Sequence, residues 1–284
     1  MEKQTFLAFI LISIILMVWL YMNQPAPQPP AEPIKKENVE QTKPQTEEKK
    51  LQTNTAAPAE VTDSAFTNKV TQERIITVET AKCIYEFTTR GGQLKKIFLK
   101  DFKTWYHNDL EENAPYYKTQ VQLINTSAKE NLDLVFVTQK GSIVKTSDLI
   151  FNSDAPGKIK ITGKDETTLS FVFNAGSDNA IRKSYTLKAD DYYINAAIEL
   201  DNMSDIISGQ TYDLNWNSGI NFVEKDVVGE ANYSEAGIYS GGEYLSVNAS
   251  DEIIKKNYSG KVDWLSIKNK YFAIVLAPEK LYPE

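Results

Sequence analysis

The chain has 284 residues, 31 of them Lys or Arg and 38 Asp or Glu, for a formal net charge of -7. That acidic balance argues against nucleic acid, whose phosphates need a basic face, and against adhesion to anionic lipid through a basic patch. With one histidine and one cysteine, a histidine-based metal site, a two-histidine acid–base pair and an internal disulfide are excluded.

The first element is the run Phe6–Met22, in which Ser13 is the only clearly polar residue and no residue is charged. At a helical rise it spans about 26 Å, close to the hydrocarbon thickness of a bilayer. An apolar surface all round leaves no side for water. A cleaved signal peptide fits less well. Lys3 is offset by Glu2, the apolar core is long, and Asn23-Gln24-Pro25-Ala26-Pro27 has no small-x-small site. Residues 1–23 are therefore read as a retained anchor held in a lipid bilayer through Phe6–Met22, with Trp19 and Tyr21 suited to an interfacial belt. Lys3 and the amino terminus lie on one side, and no basic residue follows the run until Lys35 and Lys36. The positive-inside rule then puts the N-terminus in the cytoplasm and the bulk of the chain outside it.

Residues 24–68 read as a linker, because Pro25, Pro27, Pro29, Pro30, Pro33, Pro44 and Pro58 are set among Glu, Lys, Gln, Thr and Ala. Such a stretch buries too little apolar surface to offset its ordering entropy. Residues 69–284 change to short β-type runs between turn residues. Strands are expected at Ile75–Glu79, Cys83–Thr88, Leu94–Leu99, Thr119–Ile124, Leu132–Thr138, Asp148–Phe151 and Lys158–Thr162. Further runs are Thr168–Phe173, Arg182–Leu187, Tyr192–Leu200, Gln210–Trp216, Glu243–Val247, Val262–Ile267 and Tyr271–Leu276. Alternation puts Leu169, Phe171 and Phe173 on one face and Ser170, Val172 and Asn174 on the other. Asp251–Asn257 is the one candidate short helix. The pattern predicts a mainly β fold, a large and mostly antiparallel two-layer sandwich.

Few residues carry a chemical signature. No HExxH, CxxC, GxSxG, Walker A or GxGxxG pattern occurs. His107 sits in the polar run Trp105–Asp109 and reads as a solvated loop residue, and Cys83 reads as a buried structural thiol in a strand. The acidic pairs Asp190-Asp191, Glu111-Glu112 and Asp251-Glu252 look like solvated turns, since nothing fixes the separation that carboxylate catalysis needs. The many aromatics, among them Tyr185, Tyr192, Tyr212, Trp216 and Tyr244, suit cross-strand packing better than a stacking cleft. Arg90, Gly91 and Gly92 form a structural turn, because paired glycines permit a sharp bend and no helix follows to cradle a phosphate. The sequence therefore predicts no catalytic residue, no cofactor, no metal site and no enzymatic activity.

Several stretches in order carry a resemblance: the N-terminal span and Pro-rich linker, Tyr85–Thr89 with Arg90-Gly91-Gly92-Gln93-Leu94, Ile181–Leu187, Asp191–Ile194, Leu214–Ile220 and Val262–Phe272. Together they resemble the N-terminal part of a YidC-type membrane protein insertase of a Gram-negative bacterium. The resemblance implies that the third segment is a periplasmic β-supersandwich, similar in fold to galactose mutarotases. It implies an inner-membrane location, work with the Sec translocon (SecYEG and SecDF) on nascent membrane proteins, and no cofactor. Trp264, Lys268, Tyr271 and Phe272 are the candidates for coupling this domain to the membrane core, because Val262–Phe272 closes the β region.

The family's later transmembrane helices, with their hydrophilic groove and arginine, have no counterpart before Glu284. The chain is expected to be an insertase fragment or a truncated product that does not insert proteins alone. A membrane-tethered periplasmic module that binds carbohydrate, or that scaffolds an envelope complex, is the alternative.

Overall fold

The computed structural model describes residues 63–67, 72–124, 131–176, 178–249 and 253–279. The run Phe6–Met22 and most of the stretch read as a linker lie outside the described residues. No helix among the described residues is long and apolar enough to cross a membrane.

In chain order the first strands are β1 (Ile75–Glu79), β2 (Cys83–Thr88), β3 (Gln93–Lys103), β4 (Gln120–Gln122), β5 (Asn131–Val137), β6 (Ile143–Lys145) and β7 (Lys158–Lys160). There follow β8 (Glu166–Asn174), β9 (Ala180–Lys188), β10 (Ile194–Asp201), β11 (Asp213–Trp216), β12 (Glu235–Ser240), β13 (Glu243–Asn248), β14 (Trp264–Lys268) and β15 (Ala273–Leu276). They form four sheets, ordered β4-β3-β2-β1-β7, β11-β5-β6, β10-β9-β8 and β13-β12-β14-β15. The chain is thus mainly β, as expected. β7 runs parallel to β1, with Val78 opposite Ile159, whereas β1–β2, β2–β3 and β8–β9 are antiparallel.

One hydrophobic core takes side chains from three of the sheets. Ile76 and Val78 of β1, Tyr85 and Phe87 of β2, Leu134 and Phe136 of β5, Phe171 and Phe173 of β8, and Ile181 and Leu187 of β9 are all buried in it. At its centre the ring of Phe87 lies 5.0 Å from Tyr185 and 6.2 Å from Phe171. Each such ring contributes about 2–3 kcal/mol through the apolar surface it removes from water. β8 shows the expected alternation, with Leu169, Phe171 and Phe173 inward and Thr168, Ser170 and Val172 less buried. Ser64–Phe66, within the stretch read as linker, form a 3-10 turn capped by Asp63. Phe66 packs edge-on against Phe136 at 5.6 Å and parallel to Phe173 at 6.1 Å.

Some local expectations are corrected. Asp148–Phe151 was expected as a strand. Instead Thr146–Asp148 form a 3-10 turn, and Ile150 forms an isolated bridge to Arg90. The cause is Asp133, whose Oδ1 accepts from the Ser147 amide at 2.6 Å and the Thr146 hydroxyl at 2.8 Å, so the backbone turns toward it. Ile253–Asn257 carry no helix, in keeping with adjacent β-branched residues followed by adjacent lysines. Tyr271 and Phe272, expected within a strand, lie in the turn between β14 and β15. There Asn269 Oδ1 accepts both of their amides, at 3.0 and 2.8 Å.

Candidate functional site

Two clusters contain the residues singled out from the sequence. They sit toward opposite ends of β3, about 30 Å apart along the strand from Gln93 to Phe102 at a β rise.

The first cluster is the Arg90-Gly91-Gly92 turn between β2 and β3. Gly91 and Gly92 have φ of +76° and +53°, a region that favours glycine. A Cβ on Gly92 would stand 2.9 Å from Phe171 Cβ and 3.1 Å from Phe151 Cγ, so the turn also needs the absence of a side chain. Arg90 reaches back to Glu73, Nε to Oε2 at 3.3 Å. Beneath the turn lies Lys183, fully buried. Its Nζ donates to Gly91 O at 2.9 Å, Leu132 O at 2.8 Å and Thr146 Oγ1 at 2.9 Å. Three acceptors match the three protons of an ammonium. Tyr185, two residues on, donates to Gly92 O at 2.8 Å. Burial draws the Lys183 pKa down to about 8, and the Asp133 carboxylate pulls the other way. Burial pushes the Tyr185 phenol above its ordinary range. The arrangement clamps a turn; nothing in it presents a nucleophile to solvent.

The second cluster surrounds the β14–β15 turn. Trp264 and Lys268 share one face of β14 by strand periodicity. Trp264 stacks on Tyr239 at 5.4 Å, 8° from parallel, and meets Tyr244 at 5.5 Å. Lys268 pairs with Glu235 at 3.6 Å. Phe272 meets Phe102 of β3 edge-on at 5.1 Å, and the Tyr271 hydroxyl bonds Glu224. The anchor of this turn is Asn269, whose Nδ2 donates to Glu230 Oε1 at 2.7 Å and to Asn221 O at 3.1 Å. Glu230 is fully buried, and its Oε2 accepts the amides of Val223 and Glu224 at 2.7 and 2.8 Å. Asn221 in turn donates to Ile124 O and Gln122 O. A continuous polar chain thus links β4 to the last hairpin.

The structure therefore brings Trp264, Lys268, Tyr271 and Phe272 into one neighbourhood and leaves the Arg90–Gly92 turn in another. His107 is half-buried, with Nδ1 2.7 Å from Thr104 O. Cys83 is buried, and burial pushes its thiol up to about 11. An open depression of about 470 Å³ is lined by Glu86, Lys96, Phe98, Tyr117 and Gln122. Its polar groups engage protein partners: Lys96 pairs with Glu86 at 3.4 Å, Tyr116 donates to Glu86 at 3.0 Å, and Asn221 donates to Gln122 Oε1. Among the described residues no three His, Cys, Asp or Glu side chains are grouped to hold a metal ion.

Residues 75–282 match the family model of the YidC periplasmic domain. The chain belongs to the YidC family. It is 29% identical over 294 residues to the membrane protein insertase YidC of Chlorobaculum parvum, covering 99% of this chain and 46% of that relative. The corresponding protein of Chlorobaculum tepidum is also 29% identical, over 99% of this chain and 47% of its own length. That of Chloroherpeton thalassium is 26% identical over 96% and 46%. The chain thus spans about half the length of the curated relatives it matches. Within this YidC domain, two stretches that carry the resemblance in sequence, Arg90–Leu94 and Ile181–Leu187, are the two halves of the buried clamp.

Lys183, Asp133, Asn269 and Glu230 escaped the sequence reading. For Lys183 a signal existed: it stands at an inward position of β9, in register with Ile181, Tyr185 and Leu187, where a lysine needs partners.

Proposed function

We propose that this chain is the anchor, linker and periplasmic β-supersandwich domain of a membrane protein insertase. Residues 1–23 cross the inner membrane with the N-terminus in the cytoplasm, residues 24–68 form the linker, and residues 69–284 lie in the periplasm. The whole protein helps nascent inner-membrane proteins insert, fold and assemble together with the Sec translocon. The observation that carries this reading is the match to the YidC periplasmic domain over residues 75–282, joined to relatives named membrane protein insertase over 96–99% of this chain. The uncharged run Phe6–Met22 supports the anchor.

In this reading the domain performs no covalent chemistry. It is a rigid body that couples to the membrane-embedded machinery through Trp264, Lys268, Tyr271 and Phe272. The aromatic stacking of Trp264 and the Asn269–Glu230 anchor hold that surface in shape. The test is Trp264→Ala in the full-length protein, with insertion of a dependent membrane protein measured in cells depleted of the native insertase. Impaired insertion at normal expression is expected, and undiminished insertion removes the coupling role. Capture of SecDF or SecYEG from envelope extracts by the tagged protein tests the partner assignment, and an unrelated partner set favours a scaffold instead.

A further inference from the structure

Beside the β14–β15 turn, aromatic rings and lysines are linked by contacts and by short stretches of chain. Phe272 meets Phe102, and Trp105 lies three residues beyond Phe102. Lys225 Nζ sits 5.7 Å over the Trp105 ring. The residue before Lys225, Glu224, pairs with Lys270 at 3.2 Å and bonds the Tyr271 hydroxyl. Lys270 also lies over the rings of Tyr233 at 5.7 Å and Tyr271 at 5.1 Å, and Tyr271 precedes Phe272. Phe102, Trp105, Tyr233 and Tyr271 are all exposed, Trp105 by 51%. Next to Lys225, the first turn of the short helix Val227–Ala231 presents Val227 and Val228, the latter 75% exposed.

Exposed apolar side chains grouped in this way mark an interaction surface. The composition, Trp and Tyr rings with lysine ammonium groups around them, is that of the membrane–water interface, where rings sit at headgroup depth and lysine stems reach outward. Three carboxylates beside Lys225 and Lys270 are held by protein groups. Glu224 binds Lys270 and Tyr271, Asp226 caps the helix by accepting the Gly229 amide at 2.9 Å, and Glu230 is buried. The patch holds two ammonium groups, Lys225 and Lys270, and three carboxylates, Glu224, Asp226 and Glu230, so its attraction to the interface comes from the rings and not from net charge.

We propose that this aromatic–lysine patch docks on the bilayer interface, with Trp105, Tyr233 and Val228 entering the headgroup region. The proposal rests on the tethered, periplasmic reading above. In that reading the anchor keeps the domain beside the bilayer, where a tethered site meets its target at an effective concentration on the order of millimolar. A patch too weak to bind vesicles from solution then suffices.

The test uses the full chain reconstituted in vesicles of phosphatidylcholine and phosphatidylglycerol. A fluorophore is attached at Val228→Cys, and in a second sample at Lys164→Cys, an exposed position in the turn before β8. Buried Cys83 stays unlabelled. Quenching by lipids brominated along the acyl chain is expected to be at least twofold stronger at 228 than at 164. The added pair Trp105→Ser and Tyr233→Ser, both at exposed sites, is expected to bring position 228 down to the level of 164 with the circular dichroism melt retained. Equal quenching at the two positions overturns the proposal. So does shielding of the 228 probe from aqueous iodide that grows with protein-to-lipid ratio without lipid quenching, since that marks a protein contact. Extraction with alkaline carbonate is read separately: release of the chain overturns the anchor, whereas retention with equal quenching overturns only the docking.

Discussion

Lys183 Nζ donates to the carbonyl oxygen of Gly91 over 2.9 Å, although the two residues stand 92 positions apart. The bond closes the β2–β3 turn onto β9, and the same ammonium holds Leu132 and Thr146. A single charged group thus ties three chain segments together in the interior.

Replacing Lys183 by Met has a cost that depends on pH in a defined direction. The folded-state pKa is about 8 against 10.5 for a free lysine. Between those values the unfolded chain holds a proton that the folded chain has released, so this group's contribution to stability rises from pH 8 to 10.5 and is lost as pH falls through 8. The span is about 3 kcal/mol. Cys83, raised to about 11, and Tyr116, raised to about 12, act oppositely by keeping protons in the folded state. The measurement is therefore the difference between wild type and Lys183→Met in urea unfolding from pH 7 to 10.5. That difference should move in favour of wild type as pH rises, and a flat difference refutes the assignment.

Gly92→Ala should destabilise the domain by about 2–4 kcal/mol, the sum of a left-handed backbone and a collision with Phe171 and Phe151. Gly141 separates the two effects. It has φ of +85° but open space around it, so Gly141→Ala should cost only about 1–2 kcal/mol. Equal urea midpoints for the two variants would show that crowding at Gly92 contributes nothing.

These two turns show what a single sequence discloses and what it hides. The glycine pair was legible as a corner because φ freedom is a local property. Ile75–Glu79 was legible to the residue because its side chains alternate, and Cys83–Thr88 because a short apolar and aromatic run is bounded by turn residues. The Thr146–Asp148 turn was not, since it depends on Asp133 from another strand. β12 was missed because Gly237 and Ser240 break its apolar pattern, and its strand character comes from pairing with β13 and β14. The aromatic and basic residues of the second cluster were visible one by one. Their grouping was not, because Phe102 meets Phe272 and Lys225 meets Trp105 only through the tertiary fold.

Asn269→Ala should cost about 2–3 kcal/mol, because it removes the donor to Glu230 Oε1 and the acceptor of two backbone amides. The more specific readout is hydrogen exchange. The amides of Tyr271 and Phe272 should exchange about tenfold faster or more in the variant, while those of β8 and β9 keep their protection. Unchanged exchange at 271 and 272 would mean that the turn is held by something other than Asn269.

Cys83 should resist thiol reagents in the folded protein. Burial and a pKa near 11 leave roughly one thiol in three thousand ionised at pH 7.5. Labelling should be negligible in buffer over an hour and complete within minutes in urea. Stoichiometric labelling of the folded chain would place the thiol at the surface.

The parallel contact of β1 with β7 sets a constraint on how the domain is completed. β1 ends at Glu79 and its partner begins at Lys158, with the five strands β2 to β6 between them. A chain delivered from its N-terminus cannot close that edge until more than half of its length has emerged. Until then β1 offers an open row of amides and carbonyls to any other strand, and closure carries the delay of a long-range contact. Pairing of that edge is therefore a late step of folding, and the order of the sheet is settled only when the middle of the chain returns to its beginning.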